Sequence, residues 1–162
     1  MALIKSSLES ALVVALSASP ASSIAAAKGM ADAYATYAGA AMAGVTLPVF
    51  TGLEKNALMS QLIAAIAVPL VGSPATLATA WSSGVSAFWL TPPVVFVGPG
   101  LAGTVSGFTG QSALQSSLQT AFLMLTNSIS QTAALMASAL DVATKTVQAT
   151  IAPPPGTIVM LL

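Results

Sequence analysis

The sequence predicts a mainly α-helical protein with short β segments, an α+β chain. It reads as three degenerate helix–helix–extended repeats of about 50 residues each. Three observations predict this. A helix-period segment recurs three times at nearly even spacing. A Ser/Pro turn follows the first two copies at the same offset. Each copy then ends in a tail rich in Val, Ile, Thr, Pro and Gly. The length of 162 residues suits one domain, divided into pseudo-repeats 1–52, 53–110 and 111–162.

The first helix of each repeat is found by setting Leu3, Ala57 and Ala113 in register. Three columns are then identical: Ser6/Ser60/Ser116, Leu8/Leu62/Leu118 and Ala11/Ala65/Ala121. Apolar residues also match at Ile4/Leu58/Leu114 and Leu12/Ile66/Phe122. The shared apolar columns fall at i, i+4, i+7 and i+8, which is one face of a helix. Residues 1–20, with Lys5 ahead of the apolar stretch Ala11–Leu16, superficially fit a secretory signal. Glu9 interrupts that pattern, and its recurrence places residues 3–16 in the domain, so no cleaved signal is expected.

The second helix starts at the turn. Ser19-Pro20-Ala21-Ser22 aligns with Ser73-Pro74-Ala75-Thr76 and with Ile129-Ser130-Gln131-Thr132. Ser caps a helix and Pro tolerates its first turn, where the missing N–H is no loss. Starts are therefore expected near residues 20, 74 and 130. In the same register Tyr34 aligns with Phe88, and Leu77, Trp81, Val85 and Phe88 form one helical stripe that reads as core. The tails, Val45–Thr51, Pro93–Thr109 and Val147–Leu162, read as short strands and turns. Whether they share one sheet is left open.

Charge is scarce. Four Lys and four Asp/Glu give a net charge of zero, and only 5% of residues are charged. Spread over the surface expected for this length, that is roughly 900 Å² per charge. Cys and His are absent, and no Arg occurs. The usual zinc, haem and iron–sulfur ligand sets are thus missing, as are Ser-His, Cys-His and disulfide chemistry. A neutral chain without Arg argues against nucleic acid, whose phosphates call for a basic face. No cofactor and no metal is expected. A surface this poor in charge points to one covered by other copies, other proteins or lipid.

Candidate sites are few. Gly98-Pro99-Gly100-Leu101-Ala102-Gly103 matches G-x-G-x-x-G, but no helix pattern starts there and no acidic residue follows before Asp141. It reads as a loop between two short strands. Glu9, Asp32, Glu54 and Asp141 share no repeat position, and each has a lysine one or four residues away. They read as solvated helix pairs rather than an acid/base pair. Trp89 and the loop Val94, Val95, Phe96 and Val97 are candidates for an interface anchor or a membrane-interface contact. The chain ends in a Pro153–Gly156 spacer and the apolar run Ile158, Val159, Met160, Leu161 and Leu162. That run either packs on its own subunit or adds to the sheet edge of a neighbour.

The expected function is that of a non-enzymatic structural subunit in a large assembly, with itself or other structural subunits as partners. The alternative is a membrane-embedded or pore-forming helical protein, because Asn56–Leu140 carries no charge. Against it, Pro69, Gly72, Ser73 and Pro74 interrupt a stretch that needs about 20 apolar residues to span.

The stretch Ser73-Pro74-Ala75-Thr76-Leu77-Ala78-Thr79-Ala80-Trp81, and Ala87-Phe88-Trp89 running into Pro92-Pro93-Val94-Val95, resembles structural proteins of tailed bacteriophage particles and related contractile assemblies. The resemblance covers mainly the second repeat and parts of the third. It implies a virion location and a capsid, neck or tail role without chemistry, and it carries over no site residue.

Overall fold

The computed structural model describes residues 3–18, 22–66, 73–124, 128–152 and 157–162. Two helices precede each extended segment. The order is α1 (Lys5–Ser17), α2 (Ser23–Ala38), β1 (Leu47–Val49), α3 (Leu53–Ile66), α4 (Pro74–Leu90), β2 (Val95–Gly98), β3 (Leu101–Phe108), α5 (Gln111–Leu123), α6 (Ile129–Thr144), β4 (Val147–Ala152) and β5 (Thr157–Met160). The chain is α+β as its periodicities predict.

Serines cap the second helices. The Ser73 side chain accepts from Thr76 N and Pro74 occupies the first turn. Ser128 caps α6 in a reciprocal pair with Gln131. The cap of α2 is Ser22, which accepts from Ala25 N at 3.2 Å. That helix begins at Ser23, later than the expected start near 20, and Ser19-Pro20 lies outside the described residues. In the first helices Leu8, Leu62 and Leu118 are all fully buried, while Ser6, Ser60 and Ser116 are exposed. Ile4 departs from its column. It is half exposed because α1 begins only at Lys5, whereas Leu58 and Leu114 sit inside helices and are buried.

Each helix packs on its sequence neighbours, and α6 returns to α1, so the six helices close a ring. The C-terminal ends of α2, α4 and α6 supply its centre. The offset that aligns Tyr34 with Phe88 reaches Thr144 in the third segment, and both meet Tyr34. The Tyr34 and Phe88 rings lie edge-to-face at 5.2 Å, and the Tyr34 and Thr144 hydroxyls are 2.8 Å apart. In α4, Trp81, Val85, Phe88 and Trp89 are all fully buried, while Ala75, Thr76 and Thr79 in its first turns stay exposed.

Every strand follows directly on the one before it in the sheet, β1-β2-β3-β4-β5, with all pairs antiparallel. The inner face of the sheet closes over the ring centre. Trp89 stacks on Phe96 at 6.4 Å, and Phe50 meets Trp89 and Phe88 edge-on. Gly103 lies between Phe96 and Ile151 in the register, where a Cβ would collide with the Thr150 carbonyl and the Ile151 side chain.

The C-terminal run packs on its own subunit, as the fifth strand. Leu161 N donates to Val147 O, Leu162 and Met42 exchange both backbone bonds, and Leu3 N donates to Leu162 O. The Pro153–Gly156 spacer lies outside the described residues. Among those described, no helix is long and apolar enough to cross a membrane.

Candidate functional site

Strand parity sorts the predicted interface residues into two groups. Val94 and Phe96 are buried against the ring, while Val95 and Val97 are exposed. The segment read as a loop is largely strand β2, and a strand turns successive side chains to opposite faces. In β5, Ile158 and Met160 are exposed and Val159 is half-buried. Beyond it, Leu161 is buried and Leu162 exposed. Trp89 is no surface anchor: it is fully buried, and its indole N–H donates to Tyr34 Oη at 2.9 Å. Its aromatic neighbours and that hydrogen bond make it part of the core. Val94, Phe96 and Leu161 leave the candidate interface for the same reason.

What remains is the outer face of the sheet. The register sets Leu47, Val97, Ala102 and Ala152 in one row, and Val49, Val95, Thr104, Thr150 and Ile158 in the next. Met160 continues the face beside Gln148. The large apolar members are exposed, from 41% at Val95 to 63% at Ile158. No charged side chain belongs to this face. All eight charges lie on helices, except Lys145, which caps the end of α6. Leu47 and Val49 were legible only as part of an extended tail, although their alternation around Pro48 has the period of a strand.

The G-x-G-x-x-G segment is the hairpin turn between β2 and β3. Gly98 pairs with Leu101, leaving Pro99 and Gly100 as the two-residue loop, and Gly100 has φ +70°. Pro followed by a positive-φ Gly is the composition of a type II turn. The expected reading as a loop between strands describes it, and no helix starts there to receive a phosphate.

The carboxylates are not all solvated helix pairs. Glu54 is buried and accepts from Thr51 N and Gly52 N at the start of α3. The pattern Thr51-x-x-Glu54 was the readable sign of it. Asp141 is buried and accepts from Tyr37 Oη at 2.6 Å and Lys145 Nζ at 2.9 Å. Asp32 holds Lys28 at 2.6 Å and also Lys55 of α3 at 2.8 Å, which ties α2 to α3. Burial pushes the Asp32 carboxyl up, but the two lysines outweigh it and hold it below its usual range. Among the described residues Lys5 and Glu9 form no ion pair.

A polar chain runs through the ring centre, and the sequence reading missed it. Thr144 Oγ1 donates to Leu140 O, so Tyr34 Oη donates to Thr144 while accepting from Trp89. Burial pushes the Tyr34 phenol up to about 12, against the opposing pull of its Thr144 and Trp89 hydrogen bonds. Burial, with the Asp141 carboxylate beside it, holds Tyr37 well above the ordinary phenol range. These groups join α2, α4 and α6, and each is hydrogen-bonded to another. The buried indole N–H of Trp81 has no partner among the described residues. No cluster of three acidic side chains capable of holding a metal occurs among them either.

Comparison with family models, with curated proteins and with solved structures gives no match.

Proposed function

We propose that this chain is a non-enzymatic structural subunit of a large protein assembly, acting through subunit–subunit packing. The observation that carries the reading is the outer face of the sheet, which is largely apolar, exposed at its large side chains and without a charged side chain. Burying it against protein gains roughly 25 cal/mol per Å² of apolar area and requires no ion to be desolvated. An exposed apolar surface larger than scattered single residues is characteristic of interaction sites. The polar groups at the ring centre are committed to holding the helices together, so the reading assigns the protein no chemistry. A phage-like virion or tail as the setting rests on the resemblance of the Ser73–Trp81 stretch and the Ala87–Val95 region to such structural proteins.

The test is the mass of the chain purified without detergent, by light scattering behind a sizing column. A discrete high-mass species in plain buffer is expected, and imaging then gives its symmetry. Recovery only with detergent would transfer the apolar face to lipid and favour the membrane alternative. A monomer at every concentration would overturn the assembly reading.

A further inference from the structure

The two edges of the sheet differ in what their backbones offer. Val105 N donates to Val94 O, so the even-numbered positions of β2 bond toward β3 and Val95 and Val97 bond toward β1. Leu47 and Val49 are their partners, which leaves Thr46 and Pro48 facing away from the sheet. Pro48 has no N–H, and both backbone groups of Thr46 are taken by Ala43. This edge is closed to a further strand.

The β5 edge is open. Leu161 N donates to Val147 O, so Thr157, Val159 and Leu161 bond toward β4, and Ile158, Met160 and Leu162 face outward. The outward groups of Leu162 are taken by Met42. Those of Ile158 and Met160 have no partner among the described residues. None of the devices that protect an edge, a charge, a proline or a bulge, occurs between Thr157 and Met160.

Building on the assembly reading, we infer that β5 pairs with β5 of a second copy of this chain, antiparallel about a two-fold axis at Val159. Self-pairing follows from the asymmetry of the edges. Head-to-tail addition of β5 to β1 of the next copy would meet Pro48 and the occupied Thr46. Antiparallel pairing of β5 with itself needs only the open edge, used twice, and is self-complementary. In the register centred on Val159, Ile158 of each copy faces Met160 of the other, and each pair exchanges both backbone bonds. Their side chains lie on the same outer face, so the two sheets become one and the apolar surface runs on across the axis. The edge carries no charge, so no like charges meet. Met42 ends the ladder by occupying the position beyond Met160.

The register is tested on the full-length chain by cysteine cross-linking, since the protein has no native cysteine. The two copies of Val159 would form a non-hydrogen-bonded pair with Cα atoms about 4.5 Å apart, inside the range of about 4.4–6.8 Å that a disulfide spans. Val159→Cys should give a covalent dimer under mild oxidation, and Ile158→Cys alone should not. Ile158→Lys should abolish β5 pairing, seen as loss of the dimeric building block by light scattering with helical circular dichroism unchanged. If the wild type assembles in buffer while Val159→Cys stays unlinked and Ile158→Lys keeps its mass, this inference is overturned and the assembly reading stands on another surface. If the wild type alone is monomeric at every concentration, the self-pairing falls, and a strand of a different protein found on this edge would overturn it while leaving the chain a subunit of a mixed assembly.

Discussion

The two faces of the sheet are made of the same kinds of residue and end in opposite environments. Inside, Val94, Phe96, Val105, Val147 and Ala149 are buried on the helix ring. Outside, Leu47, Val49, Val95, Val97, Ile158 and Met160 face solvent in the isolated subunit. Hydrophobicity does not tell the two sets apart, and parity along the strand does. An ordinary one-sided antiparallel sheet alternates apolar with polar residues. Here both parities are largely apolar, as in sheets covered on both faces. The helix ring covers only one, and the other is left exposed.

The comparison is broken most strongly from the inside. Phe96→Ala removes the ring that stacks on Trp89 and should cost about 3–5 kcal/mol of folding stability, read by urea denaturation. Val97→Ser, one residue along and outward, should stay within about 0.5 kcal/mol of the wild type and reduce the assembled mass instead. Equal losses of stability at the two positions would mean that the outer face is covered within the subunit.

The ring centre sharpens the comparison through its polar groups. Below pH 10 both tyrosines are neutral in the folded and unfolded chain. As pH rises from 10 to about 12, the unfolded chain loses the Tyr34 proton while the folded chain keeps it. Stability should then fall by about 1.4 kcal/mol per pH unit from this group alone. Tyr37, raised in the same direction, adds to the fall. The protein has two tyrosines, so phenolate absorbance should appear together with loss of helical signal rather than before it. Tyr34→Phe leaves the buried Trp89 N–H unpaired, should cost about 1–3 kcal/mol, and should leave the assembled mass unaltered.

Among the changes that remove a contact within the fold, the smallest loss of stability is expected far from both faces. Ser128→Ala removes the cap of α6 and should cost about 1 kcal/mol, with assembly unaffected. It measures how much instability alone changes the assembled mass, against which Val97→Ser is judged.

Much of the helical layer could be read in advance because its signals are local. Leu8, Leu62 and Leu118 share a column and a fate, and Ser73-Pro74 starts α4 where expected. The failures came where a partner distant in sequence decides. Trp89 looked free because it leaves the Trp81–Phe88 stripe, but Tyr34 and Phe96 wait on its other side. Asp141 looked like one half of a surface pair with Lys145, until Tyr37 from α2 closed over it. The exposed outer face was half legible. Val95, Val97, Ile158 and Met160 were among the candidates, mixed with neighbours of opposite parity.

The amino-acid sequence by itself determined the alternation of helix pairs with extended segments, the near absence of charge and the missing chemistry of Cys and His. These follow from periodicity, capping and composition, which act within a few residues or need no structure at all. Only the tertiary structure decided that the extended segments form one sheet, which face of it meets the ring, and which edge is left open. Those outcomes depend on pairing across long stretches of chain. A shift of one residue in strand register exchanges the buried and exposed sets, and Val94–Val97, apolar at every position, carries no local mark of which set should go in.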